Sequence, residues 1–227
     1  MSLSFNPTIT SNTKKFIFSK EESIHVSKVL RKVPGDKIKV TDGNGLKWTG
    51  KLIHNLNNNT EVEKINSEII KDIRYDLEIA IAPTKRNEKI EWFIEKAIEI
   101  GVKKIHFIKT DNSERRKINL IRLRKIAISA MKQSKQFYLP EINEIISYKK
   151  FLNDTNDKQK LIAHCVDYNK THIASISLDF KPLVILIGPE GDFSQNEIKD
   201  AISKNYLPIS LGENRLRTET AALFATQ

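Results

Sequence analysis

Apolar and polar residues alternate in short runs over the first seventy positions. KKFIFS and DKIKVTDGNGLKWTGKLIH both carry this two-residue period, with Ile38 and Val40 before DGNG and Leu46 and Trp48 after it. Asp, Asn and Gly tolerate the positive φ that tight hairpins need, so the pattern predicts a β-hairpin. KEESIHVSKVLRK breaks the period and predicts a short helix with Ile24, Val29 and Leu30 as its apolar side. NLNNNTEVEK is polar and predicts a loop or hairpin tip, and a linker falls near residues 68–74. Several short strands and one helix predict a small barrel over residues 1–70.

From Tyr75 the pattern changes. In LEIAIAP, Leu77, Ile79 and Ile81 alternate with Ala80 and Ala82. Apolar residues on both faces predict a strand of a parallel sheet covered on both sides. In NEKIEWFIEKAIEIG, Ile90, Phe93, Ile94, Ala97 and Ile98 recur at helical spacing, and Gly101 ends the helix. VKKIHFI, KLIAHCV and PLVILIG predict further buried strands. KINLIRLRKIAISAMKQSKQ predicts a long helix with a basic exposed side, and shorter helices follow at about 195–204 and from about 218. Strands alternating with helices predict an α/β domain over residues 74–227.

Composition adds less. The 227 residues carry a formal net charge of +10, which suits an anionic partner such as nucleic acid. Lysine, isoleucine and asparagine are abundant throughout, so arginine clusters argue more than the total does. The single cysteine, Cys165, excludes an internal disulfide, suits a reducing compartment and lies in the apolar run LIAHC, which predicts a buried thiol. No apolar stretch approaches the ~20 residues of a membrane span, and MSLSFNPTIT lacks a signal-peptide pattern. A soluble cytoplasmic protein is expected, with no membrane and no metal.

The candidate chemistry lies near the C-terminus. LIGPEGDFSQNEI runs from a buried strand through Gly188, Pro189, Glu190 and Gly191 into a helix. Ser194 and Glu197 fit a capping box, which pins the loop at its far end. Ligands bind beyond the carboxyl ends of open parallel sheets, and glycines permit close backbone approach. The loop has no Lys-Ser/Thr after its glycine and no G-x-G-x-x-G, so neither a P-loop nor a Rossmann site is supported. Glu190 and Asp192 would repel an anion and suit a neutral or cationic ligand. A purely structural turn explains this loop as well. SLGENRLRTETAALFATQ repeats the pattern of strand end, glycine and helix start, with Thr218 or Thr220 as the cap and Glu219 in the first turn. Two such loops can form two walls of one pocket.

Together, LIGPEGDFSQNEI and LGENRLRTETA resemble the C-terminal signature of the RsmE family, bacterial 16S ribosomal RNA uridine-N3 methyltransferases of the SPOUT (trefoil-knot) superfamily. HVSKVLRKVPGDKIKVTDGNG is similar to that family's PUA-like barrel, and KRNEKIEWFIEKAIEIGVKKI to the start of its knotted domain. The chain departs from the family pattern at Asp192, where glycine is common, and at Asn214, Arg215, Lys132 and Gln136. The resemblance implies a PUA-like RNA-binding barrel at 1–70 and a SPOUT domain with a mainly parallel sheet at 74–227. It also implies S-adenosyl-L-methionine as methyl donor, 16S rRNA or the small ribosomal subunit as substrate, and a homodimer with the cofactor pocket near the subunit interface.

By position in the motifs, Ile187, Gly188, Pro189, Glu190 and Gly191 line one side of the cofactor. Leu211, Gly212, Leu216, Arg217, Thr218 and Thr220 line the other. His164 contributes to a third wall, or is a buried, hydrogen-bonded histidine. Arg217 is the candidate catalytic cation, or forms a salt bridge to Glu219 or Glu190. Glu190 is a candidate base only if burial raises its pKa. For RNA the candidates are Arg31, Lys85, Arg86, Arg115, Arg116, Arg122 and Arg124, beside Lys125; each alone also fits a solvated charged face. Another rRNA or tRNA target, or a non-catalytic RNA-binding protein, are the alternatives.

Overall fold

The DGNG hairpin forms as its residues dictate. Strands β3 (Lys37–Thr41) and β4 (Leu46–Leu56) pair antiparallel around it. Gly43 and Gly45 take φ of 82° and 96°, and the Asp42 carboxylate accepts the N–H groups of Asn44 and Leu46 at 2.7 and 3.1 Å. The computed structural model describes the chain apart from Met1, Asn57, Asn58, Arg116, Asn156 and Phe180.

The chain divides into two units. The first comprises Met1–Ile73 and Ile128–Leu139, the second Arg74–Ala127 and Pro140–Gln227. In the first, β1 (Leu3–Phe5), β2 (Lys15–Ile17) and β5 (Asn59–Ile69) complete a mixed sheet of order β1-β3-β4-β5-β2. Ile38, Val40, Leu46 and Trp48 are all buried in its core with Leu52 and Val62. Helix α1 (Lys20–Ile24) is capped by the Ser19 side chain and continues as a π-turn over His25–Val29. The wider turn shifts the apolar register: Val26 is buried, whereas Val29, expected inside, is 65 % exposed. Residues 128–139 join this unit through Thr41 Oγ1, which donates to the Phe137 carbonyl at 3.0 Å. The Leu139 N–H donates to the Gly43 carbonyl at 2.8 Å, and Lys132 pairs with Glu22 at 2.8 Å.

The second unit is built on a seven-stranded sheet. It contains β6 (Leu77–Ile81), β7 (Lys104–Lys109), β8 (Glu141–Ser147), β9 (Gln159–Ala163), β10 (Thr171–His172), β11 (Leu183–Ile187) and β12 (Leu207–Ser210). Its order is β10-β12-β9-β11-β6-β7-β8, with every neighbouring pair parallel. Every residue of β6 and β11 is buried, as expected for strands covered on both faces. Ala80, Ala82, Ile162, Val184 and Leu186 pack on one face with Phe193, Ile198 and Tyr206. Strand alternation turns Ile79, Ile81, Ile105, Phe107 and Ile185 to the other face, where they are buried too.

Helix α2 (Asn87–Ile100) buries the five residues that its spacing predicts and ends at Gly101, φ 112°. Helices α3 (Leu120–Gln133), α4 (Tyr148–Asn153), α5 (Gln195–Ser203) and α6 (Thr218–Phe224) follow. β8 and α4 are not predicted from the sequence: β8 is an edge strand whose apolar residues are broken by Asn143 and Glu144, so it lacks the signature of a covered strand. Helix α6 packs against α2 and over β6 and β11. The last helix thus returns to the middle of the sheet, as a trefoil-knot domain requires.

Candidate active site

Three loops meet because three strands are neighbours. β12, β9 and β11 are adjacent and parallel, and Ala163 registers with both Ile187 and Ile209. Their carboxyl ends therefore lie level, and the loops that leave them enclose one cavity of about 590 Å3. Ile187, Gly188, Pro189, Glu190, Leu211, Gly212, Leu216, Arg217, Thr218 and His164, all singled out from the sequence, line it. Gly191 and Thr220 lie outside the lining. A Cβ on Gly191 would face Asn112 at 3.3 Å, and Thr220 is exposed to solvent.

The loop after β11 is held from several directions. The predicted capping box is present: Ser194 Oγ accepts the Glu197 N–H at 3.2 Å, and Glu197 accepts the Ser194 N–H at 2.9 Å. Asn112 donates to the carbonyls of Gly191 and Asp192 at 3.1 and 3.0 Å. Glu190 accepts the Lys85 N–H at 3.1 Å. Gly188 packs tightly, since a Cβ there would stand 3.1 Å from the Phe193 ring and 3.2 Å from its backbone nitrogen, so Phe193 would have to give way. Glu190 itself is exposed, so the burial on which its role as a base was conditional is absent; its carboxylate latches the loop to residue 85.

The loop after β12 turns at Gly212, φ 132°, a conformation suited only to glycine. It enters α6 with Arg217, not a threonine, at the cap position and with no side-chain cap. Thr218 is the first helical residue, so its hydroxyl does not cap. Glu219 pairs with Lys89 on α2 at 3.1 Å. That leaves the Arg217 guanidinium at the cavity without an ion-pair partner among the described residues.

The third wall follows β9. His164 is only 7 % exposed, yet neither ring nitrogen has a hydrogen-bond partner among the described residues. Its polar neighbour is the Val166 backbone, which the ring meets without the geometry of a full hydrogen bond. Burial, aided by the nearby Lys170 ammonium, lowers its pKa, so the ring is neutral at physiological pH and offers one donor and one acceptor. Cys165, expected to be buried, is exposed, because β9 ends at Ala163 and the thiol lies in the turn beyond. Lys170 also lines the cavity and donates to the carbonyls of His164 and Val166 at 3.1 and 3.0 Å. Nothing in its local sequence marks it, since only the fold of the loop brings it back.

The basic candidates divide. Arg31, Arg86 and Arg124 are exposed, and Lys85 is exposed beside Glu114 at 2.9 Å. Arg115 donates to the Asn87 side chain and the Lys85 carbonyl, and Arg122 pairs with Glu91, so both also serve the fold. Arg116 lies outside the described residues.

Comparison with known proteins points the same way. An RNA methyltransferase domain matches residues 71–227 and an RNA methyltransferase PUA domain residues 18–58. The ribosomal RNA small subunit methyltransferase E of Buchnera aphidicola is 30 % identical over 220 residues, covering 93 % of this chain and 86 % of its own length. The chain belongs to the ribosomal RNA small subunit methyltransferase E family. A probable rRNA methyltransferase of Porphyromonas gingivalis superposes with a TM-score of 0.92 at 37 % identity, over 100 % of this chain and 95 % of that one. The family enzyme of Neisseria gonorrhoeae, solved with S-adenosyl methionine bound, shares the fold with a TM-score of 0.90 at 24 % identity over the same shares of the two chains.

Proposed function

We propose that this chain methylates N3 of a uridine in 16S ribosomal RNA, with S-adenosylmethionine as the methyl donor. The observation that carries the reading is the cavity itself. Two glycine loops and the loop after β9 surround a buried His164 with both ring nitrogens unmet and an Arg217 without an ion-pair partner among the described residues. Buried polar atoms are rarely left unpaired, because each costs about 1–3 kcal/mol, so the imidazole suits a ligand that supplies partners. The cofactor is rich in such groups, and its sulfonium is a cation. Glu190, Asp192 and Glu213 are matched in the lining by Lys170, Arg215 and Arg217, so the wall offers both signs of charge to a ligand that carries both.

Uracil N3–H is a weakly acidic imide; it would pass its proton to bulk water as the nitrogen takes the methyl group, and the donor's sulfur would keep the electron pair of the broken bond as a neutral thioether. The negative charge spreads onto the flanking carbonyl oxygens. We assign the stabilisation of that charge to Arg217, an exposed cation in the cavity lining, which favours the transition state over the ground state. Gly188, Pro189 and Leu211 provide the rigid wall that positions the reactants. The target uridine is unpaired or extruded so that its N3 can be reached. Arg31, Lys85, Arg86 and Arg124 supply phosphate contacts that weaken as salt rises.

The active form is a homodimer working in the cytoplasm. Trp92 on α2 and Phe224 on α6 are both 43 % exposed, on two helices that pack together. Because α6 begins at Thr218 in the cavity wall, an interface there places each site beside the partner. Nucleoside mass spectrometry of small-subunit rRNA treated with the protein and S-adenosylmethionine tests the reaction. N3-methyluridine at a single position is expected. A methyl group on another base, or none, contradicts the proposed reaction.

A further inference from the structure

Asp192 occupies a backbone conformation that glycine would meet most easily. Its φ is +62°, where side chains are disfavoured and Asp or Asn are tolerated best. A residue kept there at some cost invites the question of what its carboxylate does. Oδ1 accepts its neighbour's N–H, from Phe193, at 2.8 Å. Oδ2 reaches the loop after β9 and accepts the Cys165 N–H at 2.7 Å. The Asp192 N–H closes the turn on the Pro189 carbonyl at 3.0 Å, and its own carbonyl accepts from Asn112. Asp192 is thus a bridge between two walls of the cavity, anchored at its own end and gripping the peptide that follows His164.

We propose that Asp192 is a positioning residue: its carboxylate clamps the loop after β9 to the glycine loop, so that His164 presents its unpaired imidazole to the cofactor. The proposal rests on the cofactor reading above. Without the bridge, the loop at Cys165, an exposed turn after the strand end, loses its charge-assisted tie to the opposite wall. The ligand must then order that loop at its own expense, and affinity falls.

The test uses the full-length chain and two variants. Asp192→Gly suits the positive φ and removes the bridge. Asp192→Asn tolerates the same φ and keeps an acceptor oxygen. Three quantities are measured: hydrogen exchange at the Cys165 amide without cofactor, calorimetric affinity for S-adenosylmethionine, and melting temperature. For Asp192→Gly, exchange at Cys165 rises and affinity falls, each about tenfold, the scale of one charge-assisted hydrogen bond. Its melting temperature stays near that of the parent, because relief of backbone strain offsets the lost contact. For Asp192→Asn, whose one amide oxygen replaces only one of the two carboxylate acceptors, both quantities fall between those of the parent and Asp192→Gly. Unchanged exchange and affinity in Asp192→Gly would overturn the clamp. A loss of affinity in Asp192→Gly with unchanged exchange at Cys165 would overturn it too, because the bridge would then not order the loop. If the parent shows the exchange pattern and binds no S-adenosylmethionine, the clamp stands as structure and the cofactor reading is the part that fails.

Discussion

Arg217 sits at the cap of α6, pointing its chemistry at a cavity and leaving Glu219 to Lys89. A cation spared from local pairing is available for charge that develops only during reaction. Arg217→Ala should therefore lower turnover by about 10²-fold or more, the scale of a lost transition-state contact, while cofactor affinity changes by less than about threefold. Single-turnover rates and calorimetry on one preparation separate the two. Equal losses would make Arg217 a binding residue only. Its neighbours explain why the local sequence said so much here. Gly188 meets Phe193 and Gly212 needs positive φ, so both glycines answer to local geometry that a sequence can declare. The surroundings of His164 depend on loops from elsewhere, and the unmet state of its nitrogens was legible in no spacing.

At the scale of elements, one buried carboxylate ties β6 to β7 and to the segment that precedes β9. Glu78 on β6 is 2 % exposed. It accepts from His106 on β7 at 3.0 Å and from Lys158 just before β9, and Lys104 approaches at 3.4 Å. Asn143 on β8 donates to the other nitrogen of His106, which fixes the imidazole with its Nε2–H toward Glu78. Burial alone would push the Glu78 carboxyl up, but the hydrogen bonds from His106 and Lys158 overcome it and hold the pKa at about 2, against 4.5 unfolded. A depressed carboxylate stabilises the fold above its unfolded pKa, and that contribution is lost as pH falls from about 4.5 toward 2. It amounts to on the order of 3 kcal/mol. Urea midpoints between pH 6 and pH 3 should fall less steeply for Glu78→Gln, which starts less stable, than for the parent. Parallel slopes would show that Glu78 carries none of the acid sensitivity. The buried strands and α2 were plain in the sequence because their apolar periods are strong. β8 was not, since Asn143 and Glu144 interrupt its apolar residues and only Ile142 is fully buried.

At the scale of the whole molecule, sequence order and spatial grouping part company. Residues 128–139 fold with the first unit, held by the Gly43 carbonyl, Thr41 and Glu22. No local pattern announces pairing across nearly a hundred residues. The return of α6 to the middle of the sheet is equally silent to periodicity, and only the resemblance of the two C-terminal motifs to a knotted family implied it. The same resemblance connected loops that lie about twenty residues apart in the chain but side by side at the ends of β11 and β12. Everything proposed for catalysis, for the Asp192 clamp and for the dimer depends on that three-loop cavity receiving one cofactor. The most direct measurement is calorimetric titration of the purified, folded protein with S-adenosylmethionine, with NAD and ATP as controls. One S-adenosylmethionine bound per chain, and neither control, is the predicted result; a folded protein that binds none of the three, or binds all alike, would contradict it.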